Sequence, residues 1–269
     1  MSLATESHPD TAPVPTTGGA RITAVTSGKG GVGKTFVTAN LAAALARQGE
    51  RVLVLDADLG LANLDVVLNL YPKLTLHDVF TGQTKLDDAI LPAPGGFSVL
   101  LAGSGMIEYS RLTPTVRDQL HDVIQRVRPR FDRVLLDTGA GISDVVLYTI
   151  SLADEVLIVA TPEPTSLTDA YATIKVLATT QPRRLMRLLV NQVQRAGEAR
   201  AIRKQLQLVI DRFVNSGLDQ PVMIELLGEV PLDPAVREAV IKRELLLECA
   251  PGSAAGQGIV AAAIKHLAG

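Results

Sequence analysis

Cysteine and tryptophan are the residues that this chain of 269 amino acids most clearly lacks. It has a single cysteine, Cys249, and no tryptophan, and its aromatic side chains are five Phe and four Tyr. One cysteine excludes an intramolecular disulfide framework and favours a reducing cytosol. The fold must therefore rest on an aliphatic core, and a chain of this length can bury a large core without disulfides or a structural metal.

The sequence also lacks an excess of charge of one sign and a membrane-spanning run. Its 26 basic and 28 acidic residues leave a formal net charge of −2, which argues against a globally basic nucleic-acid binder. The longest uncharged stretch, residues 89–107, contains two prolines and four glycines, which argue against a membrane helix. Residues 1–20 have neither a basic residue nor an apolar run, so we expect no secretory signal there.

The composition predicts a short tail followed by one domain. Residues 1–20 are rich in Thr, Pro and Ala, which is typical of a disordered segment. Residues 21–269 show no change of composition that would mark a second domain and no internal repeat. We therefore expect a single cytoplasmic domain over 21–269.

Short aliphatic runs alternate with longer segments of helical periodicity. Most runs are continuous in Val, Ile and Leu, which indicates strands that are buried on both faces, as in a parallel sheet. The runs occupy residues 22–27, 51–57, 97–102, 132–137, 155–160, 187–193 and 222–230, and the helical segments occupy 34–48, 112–127, 165–179, 198–214, 234–246 and 256–268. This alternation predicts an α/β fold: a doubly wound, mostly parallel sheet with helices on both faces, in a three-layer sandwich.

A glycine-rich loop separates the first predicted strand from the first predicted helix. The segment SGKGGVGKT fits G-x-x-x-x-G-K-[ST], and the matching residues are Gly28, Lys29, Gly30, Gly31, Val32, Gly33, Lys34 and Thr35. Glycines let successive backbone N–H groups surround phosphates, and the start of a helix favours anions. Lys34 is expected to reach the β- and γ-phosphates, and the Thr35 hydroxyl to ligate Mg²⁺.

Three aspartates stand at the ends of predicted strands. Asp56 and Asp58 close the second run, and Asp137 closes the fourth. Carboxylates at the carboxyl ends of parallel strands lie where ligands bind in open sheets. The other interpretation of Asp58 and Asp137 is that each caps a helix that follows the strand.

The second lysine of the loop, Lys29, makes KGGVGKT resemble the deviant Walker A ATPases of the MinD/ParA type. The resemblance covers about residues 21–268 and implies a P-loop NTPase fold. It also implies that the chain binds ATP or ADP with Mg²⁺ and hydrolyses ATP slowly in a nucleotide-sandwich homodimer. In that family the extra lysine touches the phosphates of the partner subunit, so Lys29 is expected to act in trans, as an arginine finger does.

The same resemblance implies roles for other polar residues. Asp58 is expected to orient the attacking water, Asp56 to lie near the Mg²⁺ shell, and Asp137 to hold Mg²⁺ through water. Glu163 is expected to reach the nucleotide of the other subunit, although a polar loop residue is the plainer interpretation. Phe36 stands where the family has a small or polar residue, so that only its backbone N–H remains for the α-phosphate.

The base-binding segments favour ATP over GTP. The strand end LLVNQVQ lacks the Lys-x-Asp of a guanine signature, and Asn191 resembles the adenine-contacting Asn of the family. GEVPLDPAVREA resembles the family segment that borders adenine, with Pro231 and Asp233 carrying the match. A strand-end Asn followed by a Pro-capped helix is also a common structural pattern.

Two further stretches indicate a branch of the family. DLGLANLDVVL and TLHDVFTG resemble the MinD branch, and DTGAGIS with TPEPTSLTDAYATIK resembles its flagellar-number subgroup, called FlhG or FleN. The resemblance implies a regulator of flagellar number or placement, in the cytoplasm, at a pole or at the membrane periphery. Its implied partners belong to flagellar or polar assembly, such as a GTPase or a transcriptional regulator. Division-site regulation of the MinD kind is an alternative.

A basic segment keeps a third function open. Residues 183–204 contain seven basic residues and one acidic residue, a local net charge of +6. Such a segment suits non-specific DNA binding by a cargo-positioning ATPase of the ParA kind, or it is an ordinary solvated face. The C-terminal segment GIVAAAIKHLAG has only Lys265 as a firm cation, so stable membrane binding is not expected.

Overall fold

The computed structural model describes residues 19–268 apart from 61–62, 104–108 and 110. The strands of this part of the chain are β1 (Arg21–Ser27), β2 (Val52–Ala57), β3 (Ile90–Pro92), β4 (Ser98–Leu100), β5 (Arg133–Ala140), β6 (Glu155–Ala160), β7 (Leu185–Val193) and β8 (Met223–Pro231). Its helices are α1 (Lys34–Ala46), α2 (Leu64–Leu68), α3 (Leu76–Phe80), α4 (Leu86–Ala89), α5 (Pro114–Val127), α6 (Asp144–Ser151), α7 (Pro164–Thr180), α8 (Glu198–Phe213), α9 (Pro234–Lys242), α10 (Leu246–Cys249) and α11 (Ala254–Ala268).

The described strands form one eight-stranded sheet in the order β3-β4-β2-β5-β1-β6-β7-β8. Its neighbouring strands run parallel, with the exception of the antiparallel pair β3 and β4. Strand β1 lies in the middle, and the next strand in sequence, β2, is two places away from it. Ligands of such sheets bind beyond the carboxyl ends of the strands near this reversal of order, which is where the glycine-rich loop follows β1.

Both faces of the sheet are covered, as the continuous aliphatic runs predict. In β2 all six residues are buried. Leu53 and Leu55 belong to the hydrophobic cluster that includes α5 to α8, whereas Val52 and Val54 belong to the cluster that includes α1, α10 and α11. Because successive side chains of a strand point to opposite faces, this division confirms the three-layer α/β sandwich.

The seven aliphatic runs are all strands, but several elements escaped the sequence analysis. Strand β3 has only three residues, ends at Pro92 and pairs antiparallel at the edge, so it carries no parallel-strand signal. Helix α6 and the short helices α2, α3, α4 and α10 were also missed. Helix α9 ends at Lys242, four residues before its predicted end, because Arg243 takes a left-handed conformation with a φ of 55°.

The described part of the chain begins within the predicted tail. Residues 1–18 of the predicted tail lie outside the described residues. Ala20, which the sequence analysis assigns to the tail, is buried, and its backbone N–H donates to the carbonyl of Arg128 at 2.6 Å. Among the described residues, no helix has the length and apolar character that a membrane crossing requires.

A buried polar network attaches the C-terminal helix to the sheet. His266 of α11 is fully buried, and Arg187 of β7 donates to its Nδ1 at 2.9 Å. Its Nε2 lies 3.3 Å from the hydroxyl of Thr23, and Glu155 accepts from that hydroxyl and pairs with Arg187 at 3.5 Å. Burial, reinforced by the nearby arginines, lowers the pKa of His266 from 6.5 to about 3. The imidazole is therefore neutral in the folded protein.

We predict that acid destabilises the protein through His266. The unfolded imidazole gains a proton below pH 6.5 and the folded one does not, so the free energy of unfolding falls as the pH drops from 6.5 towards 3. Chemical denaturation at pH 7 and pH 5 should show a loss for the wild type that exceeds the loss for His266→Gln by about 1–2 kcal/mol. The exposed His121 supplies the control, His121→Gln, which should follow the wild type. Equal losses for wild type and His266→Gln would contradict this prediction.

Candidate functional site

The glycine-rich loop forms an open cradle between β1 and α1. Gly31 and Gly33 have φ values of 79° and 88°, which glycine adopts without strain, and α1 begins directly after Gly33. The hydroxyl of Ser27 donates to the carbonyl of Lys29 at 2.9 Å and steadies the turn. A chain bend of this kind before a helix presents backbone N–H groups to an anion.

Two of the loop glycines are required by their neighbours. A Cβ on Gly28 would overlap the backbone carbonyl of Asp169 in α7, and a Cβ on Gly33 would overlap the side-chain amide of Asn191. At Gly30 and Gly31, by contrast, a Cβ would meet nothing within 4 Å. The loop is therefore packed against α7 and β7 on one side and open on the other, where a phosphate chain would lie.

The carboxylates Asp56 and Asp137 lie next to each other across the sheet. They are partners in the register of β2 and β5, and both are buried. Burial is the largest cause that raises the pKa of each, and the charge of Asp137 adds to the rise at Asp56. Lys34 and hydroxyl donors from Thr35 and Thr38 act in the opposite direction on Asp137. The site thus places two buried carboxyl groups beside the phosphate loop, where a nearby positive charge would favour their ionised form.

Asp58 lines a cavity together with residues of the glycine-rich loop. Its backbone N–H donates to Oδ1 of Asp56 at 3.2 Å. Its carboxylate approaches Gly139, which lies in β5 two residues after Asp137. The cavity, of about 660 Å³, lies between Asp58 and the phosphate loop. Its walls include Gly30, Gly31, Gly33, Lys34, Thr35, Phe36, Asp58, Asn63, Tyr109, Gly139 and Ser143.

Lys29 makes its contacts within its own subunit. Its Nζ lies 2.8 Å from Oε2 of Glu163 and 3.0 Å from the hydroxyl of Thr165, at the start of α7. The two residues that the sequence analysis assigned to trans contacts are therefore paired with each other in the single chain. Their reach across a dimer stays a prediction, and it requires this exposed ion pair to open.

The three expected base contacts have structural partners in this chain. Asn191 donates through Nδ2 to the carbonyl of Val32 at 2.8 Å and accepts from the backbone of Gln192 at 3.0 Å. Asp233 caps α9 by accepting from Ala235 at 2.9 Å, and it also accepts from the first turn of α11. Pro231 ends β8. Their contact with adenine stays a prediction.

The basic segment 183–204 is not a single surface. Arg183 donates to the carbonyls of Ile150 and Ala153, Arg184 donates to the carbonyl of Ala178, and Arg187 lies in the buried network. These three are attached to the amino-terminal end of β7, and the remaining cations lie beyond its carboxyl end. The remaining cations are Arg195, Arg200, Arg203 and Lys204. The fold therefore separates the basic residues of this segment into two groups, one at each end of β7.

The donor set fits a nucleotide with Mg²⁺. Oxygen ligands suit Mg²⁺, and the hydroxyl of Thr35 with the carboxylates of Asp56 and Asp137 would hold it directly or through water. Among the described residues, no group of three His, Cys, Asp or Glu side chains forms a self-sufficient metal site. The phosphates would therefore share the coordination, which is the usual arrangement for Mg²⁺ at phosphates.

Sequence reasoning missed several polar residues that line this cavity or lie behind it. Ser27, Thr38 and Asn63 belong to segments that were recognised, but their polar side chains were not singled out. Thr38 is one helical turn after Lys34, and this spacing was a usable signal. Tyr109 packs against His77 at 5.9 Å between ring centres and lines the cavity from a segment with no recognisable pattern.

Known nucleotide-binding proteins are similar to this chain over most of its length. The model of the CobQ/CobB/MinD/ParA nucleotide binding domain matches residues 23–246. The antiactivator FleN of Pseudomonas aeruginosa is 42% identical over 245 residues, which cover 91% of this chain and 85% of FleN. The flagellum site-determining protein YlxH of Helicobacter pylori is 33% identical, over 90% of this chain and 80% of YlxH. The septum site-determining protein MinD of Pyrococcus horikoshii, solved with Mg-ADP, is 30% identical with a TM-score of 0.73, covering 93% and 98% of the two chains.

We predict that Gly28→Ala and Gly30→Ala differ sharply. The new methyl group at position 28 would collide with a backbone carbonyl that cannot turn away, whereas the one at position 30 would enter open space. Thermal or chemical unfolding should show a loss of about 1–3 kcal/mol for Gly28→Ala and no significant loss for Gly30→Ala. Similar stabilities of the two variants would show that α7 does not pack on the loop in this way.

Proposed function

Because the chain belongs to the CobQ/CobB/MinD/ParA family of nucleotide-binding domains, we propose that it is an ATP-hydrolysing switch that regulates the number or placement of flagella. The observation that carries the proposal is the meeting of Lys34, Thr35 and Asp58 on one cavity beside Lys29. The similarity to FleN and YlxH over most of the chain supports the flagellar role.

In the proposed reaction, water attacks the γ-phosphate of ATP and gives ADP and phosphate. Lys34 and the loop N–H groups hold the phosphates, and Asp58 orients the water for in-line attack. Thr35, Asp56 and Asp137 would hold Mg²⁺, which neutralises phosphate charge when bound. Asn191, Pro231 and Asp233 border the base, with Asn191 also supporting the loop through Val32.

The proposed active form is a homodimer with two nucleotides between its subunits. Lys29 would leave Glu163 and Thr165 and reach the phosphates of the partner, and Glu163 would become free to face the other nucleotide. The exposed apolar side chains Ile142 and Leu232 follow β5 and β8 at the carboxyl edge of the sheet, with 47% and 59% of their area exposed. Their burial would favour closure of two such edges.

Hydrolysis would reverse this assembly. Loss of the γ-phosphate would remove its contacts with Asp58 and with residues 137–143, so the dimer would open. The switch would reside in a single P-loop domain over residues 21–269, working in the cytoplasm, at a pole or at the membrane periphery. Its partners would be proteins of flagellar or polar assembly, such as a GTPase or a transcriptional regulator. Division-site regulation is the nearest alternative, in view of the likeness to MinD.

We predict that Asp58→Ala traps an ATP-bound dimer. Removal of the carboxylate leaves the phosphate loop intact but takes away the group that orients water, so ATP persists and the closed form accumulates. Light scattering after gel filtration in saturating ATP should give twice the monomer mass. Lys34→Ala, which loses the phosphate-binding charge, should stay monomeric in ATP. An Asp58→Ala protein that stays monomeric in saturating ATP contradicts the sandwich mechanism.

A ParA-like role in DNA-based positioning is the second candidate. The observation that favours it is the exposed row Arg200, Lys204 and Arg212 on α8, spaced at four or eight residues along one face. Three cations of segment 183–204 are engaged elsewhere, as described above, so α8 is the surface on which DNA backbone would lie.

We predict that ATP does not increase the affinity of this chain for random duplex DNA. The expected result is equal and weak binding with and without ATP in fluorescence anisotropy titrations at several salt concentrations. ATP-dependent binding that weakens steeply with salt would instead support the ParA-like role. In that case the Arg200→Glu, Lys204→Glu double variant should lose binding, and Lys85→Glu, an exposed lysine near the β3 edge, should keep it.

A further inference from the structure

Thr38 links the phosphate-binding helix to the strand that carries Asp137. It lies in α1, one turn after Lys34, and is fully buried. Its hydroxyl oxygen is 3.0 Å from Oδ1 of Asp137 and 3.0 Å from the carbonyl of Lys34. Thr38 lies outside the glycine-rich motif, so neither the motif nor the family resemblance assigns it a role.

The hydroxyl has one proton, and the carboxylate is its stronger acceptor. The carbonyl of Lys34 is within the helix, where it also receives the backbone N–H four residues on. A hydrogen bond to an ionised carboxylate is about twice as strong as one between neutral groups. The proton is therefore directed at Asp137, and the carbonyl of Lys34 keeps its backbone hydrogen bond within the helix.

Two hydroxyl groups among the described residues donate to the side chain of Asp137. One belongs to Thr38, and the other belongs to Thr35 in the phosphate-binding segment itself. Thr38 instead belongs to the body of α1, where its neighbours are buried on every side. It therefore ties the carboxylate to a rigid helix whose first residue is Lys34.

Thr173 shows what a buried helical threonine does without such a partner. It is fully buried in α7, and its hydroxyl donates to the carbonyl of Asp169, one helical turn earlier, at 3.0 Å. That contact alone satisfies the hydroxyl. A bond from Thr38 to a carboxylate 99 residues away, instead of to the carbonyl one turn earlier, is thus not needed to satisfy a threonine in a helix.

We propose that Thr38 is a positioning residue for the cation–phosphate site: its hydroxyl holds the carboxylate of Asp137 in line with Thr35 and Lys34. The inference rests on the proposed nucleotide-binding function. Groups that orient a metal ligand from behind typically change metal affinity by about 10–100-fold when removed. Loss of the Thr38 hydroxyl should therefore weaken the contribution of Mg²⁺ to nucleotide binding and leave metal-free binding unchanged.

The test compares Thr38→Val, which keeps the shape, with Thr38→Ser, which keeps the hydroxyl. The dissociation constant of a fluorescent ADP analogue is measured with Mg²⁺ and with EDTA. The value in EDTA divided by the value in Mg²⁺ reports the Mg²⁺ contribution. Thr38→Val should reduce that ratio at least about tenfold, and Thr38→Ser should retain it. Thr149→Val, at a buried threonine of α6, is the control and should match the wild type.

Each other outcome is informative. An unchanged ratio in Thr38→Val, or an equal loss in Thr38→Ser, overturns the inference, since the hydroxyl would then not be the cause. Circular dichroism verifies folding, and Thr38→Ala replaces Thr38→Val if the valine variant does not fold. A wild-type protein that binds no nucleotide contradicts the proposed function, whereas normal wild-type binding with an unaffected Thr38→Val contradicts the role of Thr38 alone.

Discussion

Parallel pairing of β5 with β1 on one side and with β2 on the other is the constraint on which the site depends. The pairing places the carboxyl ends of the three strands at one edge, so the phosphate loop, Asp56 and Asp137 become neighbours. It also buries both carboxylates, and this burial raises the pKa of each. Positive charge from a cation or from Lys34 can offset the free-energy cost of burying the two carboxylates in ionised form. This compensation is a physical reason for the carboxylates to lie beside the phosphate loop.

Helix α1 connects these strand ends to the phosphate loop. Its first residue is Lys34, and Thr38 joins its second turn to Asp137. On the opposite side Asn191 of β7 supports the loop at Val32, and α7 closes on Gly28. The loop therefore contacts three separate elements, which are α1, β7 and α7. The contacts of Lys29 with Glu163 and Thr165 lie at this same junction.

Much of the fold and the centre of the site were predictable because their signals are local. Continuous aliphatic runs mark strands that are buried on both faces, and the loop motif contains its own phosphate-binding groups within nine residues. The elements that were missed have weak local signals: β3 is three residues long, and α6 begins where a glycine-rich turn follows Asp137. Asp233 was assigned to the base, and its observed hydrogen bonds cap α9 and hold α11.

By itself, the sequence determined which chemical groups follow which strand, because a motif or an aliphatic run needs only neighbouring residues. Only the tertiary structure decided which charges remain available. Lys29 meets Glu163 over 134 residues of chain, and Arg187 meets His266 over 79, so the packing of α7 and α11 on the sheet brings each pair together. The basic segment 183–204 is the clearest case: its residues are adjacent in sequence, but β7 carries some of them into the protein and leaves others on α8. Hydrogen bonds to groups distant in the chain, rather than local composition, determine where the charge lies.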